Sequence, residues 1–307
     1  MNAYAVILES PERMTLRPLA LTSVTASDVV VDVDFSGISS GTEKLLWTGR
    51  MPAFPGMGYP LVPGYESVGR IVDAGADVCG RIGEWVFVPG ANCYQDARGL
   101  FGGTARTVVL PSARAVAIDP ALGRDGILTA LAATAHHAIA GSAPDLIVGH
   151  GILGRLLARI TIASGAPAPT VWETNPARRD GVGYSVIDPD ADERRDYRTI
   201  VDASGAADML DTVIPRLAKG GEIILAGFYD RLSFAFPPAF MREATLRIAA
   251  EFTPADIAAT TALIAEGTLK FDGLISHERP AAEAEDAYPQ AFSDPDCLKM
   301  VLDWRSL

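Results

Sequence analysis

Short apolar runs set close together dominate the first part of the chain. DVVVDVDFSG (28–37), SVGRIVDAG (67–75), EWVFVPG (84–90) and ARTVVLP (105–111) are dense in valine and bounded by turn residues. That pattern predicts antiparallel strands. From about residue 120 the texture changes. DGILTALAATAHHAIA (125–140) reads as a helix, DLIVGHG (145–151) as a buried strand, and RLLARITIASG (155–165) as a helix closing on Gly165. PTVWE (169–173), RTIVDASG (198–205) and GGEIILAGF (220–228) continue the series as strands. Apolar strands alternating with helices predict a parallel sheet covered on both faces. The tail from about 276 carries one helical stretch and a last apolar strand, KMVLDW (299–304), expected to rejoin the first domain. The pattern thus predicts an α/β chain of two domains: a β-rich one from 1–119 and 276–307, and a doubly wound parallel-sheet one from 120–275.

One segment carries chemistry directly. In LIVGHGILG, Gly149, Gly151 and Gly154 fall in GxGxxG spacing directly after an apolar strand and before a helix. In that context Gly149 allows a tight turn, Gly151 lets backbone approach a pyrophosphate, and Gly154 lets helix and strand pack closely. The helix opening at Ile152 and Leu153 offers free N–H groups and a positive dipole end to the phosphates. Glu173 ends the next strand, 19 positions after Gly154. A carboxylate there accepts hydrogen bonds from a ribose 2′-hydroxyl and repels a 2′-phosphate, which predicts NAD over NADP. Arg178 and Arg179 follow closely and are the opposing signal, as candidate partners of a 2′-phosphate. Ser204 and Gly227 close later strands and are candidates for contacts near the nicotinamide.

Composition narrows the function classes. The 307 residues are 49% hydrophobic and 21% charged, ordinary for a globular protein with a large core. A net charge of −12 argues against a nucleic-acid partner, which would show a basic stripe. Cys79, Cys93 and Cys297 lie far apart without CxxC spacing and predict free thiols in a reducing compartment. The N-terminal MNAYAVILESPERM reads as a strand, and the most apolar region is broken by His150, Arg155 and Arg159. The expectation is a soluble, cytoplasmic protein without an integral membrane segment.

With these residues in hand, the chain resembles the medium-chain dehydrogenase/reductase superfamily over nearly its full length. GISSGTE, PLVPGYESVGRIV, GEWVFVPG, FGGTARTVVLP, GHGILG and VDASG stand in that superfamily's order. The resemblance implies a GroES-like substrate domain and a Rossmann domain, with reaction in the cleft between them and homo-oligomers common. In its zinc alcohol dehydrogenases the first ligand stands in a Cys-Gly-Thr-Asp pattern; here Ser40, Gly41, Thr42 and Glu43 hold those places. The second ligand, a histidine, is replaced by Tyr65, and LTALAAT (128–134) offers no third. The structural zinc lobe has no counterpart around ANCYQDARGLFGG (91–103). The resemblance therefore implies no metal.

A narrower resemblance is carried by SGISSGTEKLLWTGRMPAFPGMGYPLVPGYESVGR, LIVGHGILGRLLAR, VWETNPAR and AGFYDRLSFAFPPAFMREA. They are similar to the bacteriochlorophyllide hydroxyethyl dehydrogenases of bacteriochlorophyll synthesis. That likeness implies NAD-dependent oxidation of the secondary alcohol on the C3 substituent to an acetyl group. A macrocycle needs flat apolar contacts and a few polar anchors. The candidates are Trp47, Phe54, Met57 and Tyr59 on the Gly/Pro-rich run 47–60, and Phe228 opening 228–241. Arg50 is a candidate partner for a substrate carboxylate. The alternatives are core or dimer-interface rings and a solvated arginine. Thr42 matches the superfamily's proton-relay hydroxyl. Tyr65 is a candidate to hydrogen-bond the substrate oxygen, with Ser40 in the same network. Glu66 is either a base or a structural carboxylate near its turn. His136 and His137 read as packed core groups, His150 as shaping phosphate contacts, and His277 as remote. The other classes weighed are a zinc-independent NAD(P)H quinone or enone reductase and a non-catalytic nucleotide-binding sensor or scaffold.

Overall fold

The structure, a computed structural model, describes residues 1–181, 183–229 and 231–307; Asp230, inside the aromatic segment 228–241, lies outside the described residues. The described chain divides into two compact units, Met1–Ala130 with Phe271–Leu307, and Leu131–Lys270.

In the first unit the strand Asp28–Ile38 organises the larger sheet. Its valines Val29, Val30, Val31 and Val33 are buried. Along one edge it pairs with Ser67–Ala74, and along the other first with Thr107–Pro111 and then with Met300–Asp303, all antiparallel. Trp85–Val88, Val116–Ala117 and His277–Pro280 extend the sheet outward. A glycine is required where Ser67–Ala74 crosses this strand, since a Cβ on Gly69 would fall 1.9 Å from the Asp32 carbonyl oxygen. A second sheet of four strands, ordered Arg13–Ala20, Asn2–Ser10, Leu61–Val62, Arg98–Gly99, shares one apolar core with the first. The chain's tail does return: Met300 pairs with Ile38, and Trp304 is fully buried, its indole N–H donating to Ser36 Oγ at 2.8 Å. The short helical segment Pro120–Leu128 packs with this unit, Gly126 against Ile118 and Val68, and Ile127 against Gly37. The seam between the units accordingly falls inside the helical run read from 125–140.

The second unit is a six-stranded parallel sheet. Its order is Ser185–Ile187, Thr170–Trp172, Leu146–Val148, Tyr197–Asp202, Leu217–Leu225, Thr245–Ile248. Counted along the chain this is 3-2-1-4-5-6, the doubly wound Rossmann order, with a topological switch beside the first strand. The helices Ile152–Ala163 and Pro254–Ala265 belong to it, and Thr129–Ile139 enters it from Leu131 on. Two of its strands escape the sequence pattern. Ser185–Ile187 is three residues long, and Thr245–Ile248 is an edge strand whose side chains are largely exposed.

Among the described residues no helix is long and apolar enough to cross a membrane. Because Trp304 fastens the final strand, Trp304→Ala is expected to destabilise the protein by about 3–5 kcal/mol; urea unfolding followed by circular dichroism measures this, and a loss near zero would mean the tail is dispensable.

Candidate active site

The three loop glycines do three different things. Gly149 has φ 95°, and a Cβ on it would press on the Ser204 backbone at 3.1 Å. Gly154 lies under the turn, where a Cβ would meet the Gly149 carbonyl oxygen at 1.9 Å. Gly151 caps the helix Ile152–Ala163 and has open space in front of it. Backbone N–H groups are thus presented where a pyrophosphate can approach. Glu173 is held beside this loop: Oε2 accepts from the His150 backbone N–H at 3.1 Å and Oε1 from the Asn175 N–H at 2.8 Å. The His150 ring is buried. Its Nδ1 must donate, because its partner is the Arg178 carbonyl oxygen at 2.6 Å, so Nε2 accepts from the Tyr184 hydroxyl at 2.8 Å. Burial lowers its pKa, in keeping with a neutral ring. Ser204 Oγ donates to Asp202 Oδ1 at 2.6 Å and fixes the turn after Tyr197–Asp202. Gly227 is packed against Tyr229 and the Gly205 N–H.

In the first unit a second cluster gathers the half-buried Tyr65 with the buried Glu43, Glu66 and Lys299. Tyr65 replaces the histidine of the zinc pattern, and its hydroxyl donates to Ser39 Oγ at 2.8 Å while its ring meets Phe101 edge-on at 5.3 Å. Burial, then the Glu66 charge, raises the Tyr65 pKa, while hydrogen bonds with Ser39 and Thr42 oppose the shift. The serine that joins Tyr65 is therefore Ser39, where Ser40 was expected. The residue past Ile38 turns inward and the next turns out, leaving Ser40 exposed. Glu66 is 1% exposed and forms an ion pair with Lys299, 2% exposed. The pair occupies the space over Gly37, whose Cβ would lie 2.4 Å from Glu66 Oε2. Glu66 is thus a buried, lysine-paired carboxylate. Glu43, on the helix Thr42–Trp47, is buried as well. Its Oε2 accepts from the Ser39 backbone N–H at 2.5 Å and its Oε1 from the Tyr288 hydroxyl at 3.2 Å. Burial pushes the Glu43 pKa up to about 8; the Glu66 charge adds to the rise, and the Ser39 N–H, Lys299 and Tyr288 oppose it.

Residues 25–120 match the alcohol dehydrogenase GroES-like domain. A 2-desacetyl-2-hydroxyethyl bacteriochlorophyllide A dehydrogenase from Rhodobacter capsulatus is 58% identical to this chain, covering 99% of each. The chain belongs to that dehydrogenase family. Distant solved structures share the fold. A short chain alcohol dehydrogenase from E. coli CFT073, complexed with NADH, has a TM-score of 0.84 at 18% identity over 99% of both chains. A dehydrogenase from Sinorhizobium meliloti bound to NADP has a TM-score of 0.82 at 20% identity, over 99% of this chain and 100% of that one.

The alcohol dehydrogenase fold raises the matter of zinc, and the donor set does not fit it. Where the zinc pattern has thiolate and imidazole, this family member has an exposed Ser40 and a Tyr65 phenol kept protonated by burial. Among the described residues no three His, Cys, Asp or Glu side chains are grouped to hold a metal ion. His136 and His137, expected as packed core groups, are instead partly exposed, and their Nδ1 atoms bond the two oxygens of Asp256 at 2.8 and 3.0 Å. Asp256 in turn caps the helix Pro254–Ala265. His277 meets Ser276 and Asp294.

The expected substrate contacts divide. Trp47, Met57 and Tyr59 pack against the core, and the Tyr59 hydroxyl donates to the Leu46 carbonyl. Phe54 and Arg50 are exposed, as is Phe228 beyond Gly227. The rings of Phe234, Phe236 and Phe240 and the side chain of Met241 line a surface pocket of about 410 Å³ beside Lys219, which lies near the start of its strand. Glycine loop, Gly227 and Phe228 are at the other end of the same sheet. Residues that pattern reading missed are Ser39, Tyr288 and Lys299, together with the buried role of Glu43. Tyr288 and Lys299 are more than two hundred positions from their partners, and no local signal marks them.

The raised pKa of Glu43 has a consequence for stability. Between its ordinary 4.5 and about 8 the native state holds a proton that the unfolded chain has released. Stability from this group is therefore complete below 4.5 and is lost as pH rises toward 8, by an amount on the order of a few kcal/mol. Glu43→Gln is expected to flatten that decline, so that the variant gains on the parent between roughly pH 5 and pH 8. Urea midpoints at the two pH values measure it; parallel declines would refute the assignment.

Proposed function

We propose that this chain oxidises the 3-(1-hydroxyethyl) group of bacteriochlorophyllide a to a 3-acetyl group, with NAD⁺ as hydride acceptor and without zinc. The observation that carries the reading is the 58% identity, over 99% of both chains, to a dehydrogenase named for that substituent. Bound at the glycine loop, the nicotinamide cofactor would take a hydride from the carbinol carbon. Gly149, Gly151 and Gly154 with the helix start at Ile152 and Leu153 would hold its pyrophosphate, Glu173 its adenosine ribose, and Ser204 and Gly227 would border the nicotinamide.

The alcohol proton is then left to side chains. Tyr65 spends its own hydrogen on Ser39, so its oxygen is an acceptor for the substrate hydroxyl. As the hydride departs, Tyr65 would take the alcohol proton while handing its own hydroxyl proton on, and Thr42, hydrogen-bonded to Tyr65, would pass a proton to solvent water. A hydroxyl chain relays but does not retain a proton, since its pKa is too high. Phe54 and Phe228 are exposed apolar faces suited to a macrocycle, with Arg50 an exposed cation for its carboxylate. Ile248, 77% exposed on the edge strand, supports a homo-oligomer.

Mixing the protein with NAD⁺ and 3-hydroxyethyl bacteriochlorophyllide a should produce NADH together with a shift of the macrocycle's absorption as the acetyl group conjugates. Absence of a shift, with NADH still bound, would sink the dehydrogenase reading. Activity should survive chelator treatment, and stoichiometric zinc in active protein would overturn the zinc-free claim.

A further inference from the structure

The loop after the strand Thr170–Trp172 carries contradictory signals. Glu173 suits a ribose 2′-hydroxyl, whereas Arg179, six positions on, is the kind of planar cation that a 2′-phosphate recruits. Both cannot act on the same position of the cofactor. The structure separates them. Arg179 Nε donates to the Glu173 carbonyl oxygen at 2.8 Å, and Nη2 donates to the Thr174 carbonyl oxygen at 2.8 Å. The same Nη2 forms an ion pair with Asp188. Three acceptors on one guanidinium fix its plane behind the turn that presents the Glu173 carboxylate.

Asp188 is well placed for this. It follows the strand Ser185–Ile187, whose Ile187 is in register with Trp172 and whose carbonyl accepts the Glu173 N–H at 3.0 Å. Its other oxygen accepts the Asp190 N–H at 3.0 Å, so the carboxylate is itself oriented. From the opposite side the loop is anchored through the Arg178 carbonyl, which accepts from His150 Nδ1, and through Arg155, which pairs with Asp180 at 2.7 Å. The turn is therefore held at both ends, with the Glu173 carboxylate and the Arg178 carbonyl both tied to His150 of the glycine loop.

We propose that Asp188 determines cofactor choice as a positioning residue: it ties the Arg179 guanidinium to the backbone of the turn and so withholds a cation from a 2′-phosphate. The inference rests on the proposed NAD-dependent reading. In its terms, discrimination has two layers, repulsion by Glu173 and sequestration of Arg179.

The test is calorimetric affinity for NAD⁺ and NADP⁺, with kcat/KM for each as a second readout. It compares the parent protein, Glu173→Ala, Glu173→Ala/Asp188→Ala, and that double variant with Arg179→Ala added. Glu173→Ala alone should relax discrimination. Adding Asp188→Ala should strengthen NADP⁺ binding by a further ten- to a hundredfold, roughly the value of a charge-assisted hydrogen bond. Adding Arg179→Ala should abolish that further gain and leave NAD⁺ affinity little changed. Asp188→Asn, which keeps an acceptor for the Asp190 N–H, replaces Asp188→Ala if the latter does not fold. No further NADP⁺ gain, or a gain that survives loss of Arg179, overturns the inference. A parent protein that already prefers NADP⁺ overturns the NAD reading instead, and the two failures are distinct.

Discussion

A charge taken out of water must find an opposite charge or be neutralised by a change of protonation, and the first unit is built around that constraint. Glu66 and Lys299 are both almost wholly buried, and they join the turn after Leu61–Val62 to the last strand. Removing one partner from such a pair costs about 3–5 kcal/mol, because the other charge is stranded. Glu43, close enough to feel both, has no cation of its own and takes the second course, holding a proton to about pH 8. Together they form a polar floor beneath Tyr65 and Ser39, fixed by long-range partners. The hydroxyls above it are held in place before any substrate arrives.

How much of this could be read in advance depended on distance along the chain. The glycine loop was legible because its signals are local: a strand, three glycines and a helix within a dozen residues, then Glu173. The two-domain order and the return of KMVLDW were legible from runs of apolar residues. The floor beneath Tyr65 was not, since Glu43 meets Tyr288 and Glu66 meets Lys299 only after the tail has come back to the sheet. The choice between Ser39 and Ser40 depends on which residue turns inward at a strand end, where period-two alternation no longer applies. Ser185–Ile187 was missed because three residues carry too little pattern, and Thr245–Ile248 because an exposed edge strand does not read as buried.

The two units treat ionisable groups differently. In the second unit, carboxylates are bound to backbone N–H groups or side-chain donors and serve as fixed electrostatic features: Glu173 on the His150 and Asn175 N–H groups, Asp192 on the Trp172 indole and Tyr197 hydroxyl, Asp202 on Ser204. In the first unit Glu43, behind Tyr65, is held protonated to about pH 8, a setting suited to handling a proton. A zinc ion would have made this unnecessary by acidifying the alcohol directly. In the proposed reaction, with a phenol in place of imidazole, the alcohol proton is left to hydroxyls.

Gly37 shows how closely this depends on empty space. The residue has no side chain, and the volume a methyl group would fill is where Glu66 Oε2 and Lys299 Cε already are. Alanine is the mildest of substitutions on a strand and carries no charge. At this position it would nevertheless crowd a buried cation and anion. For the first unit, then, an apolar change without any charge of its own acts on an ion pair.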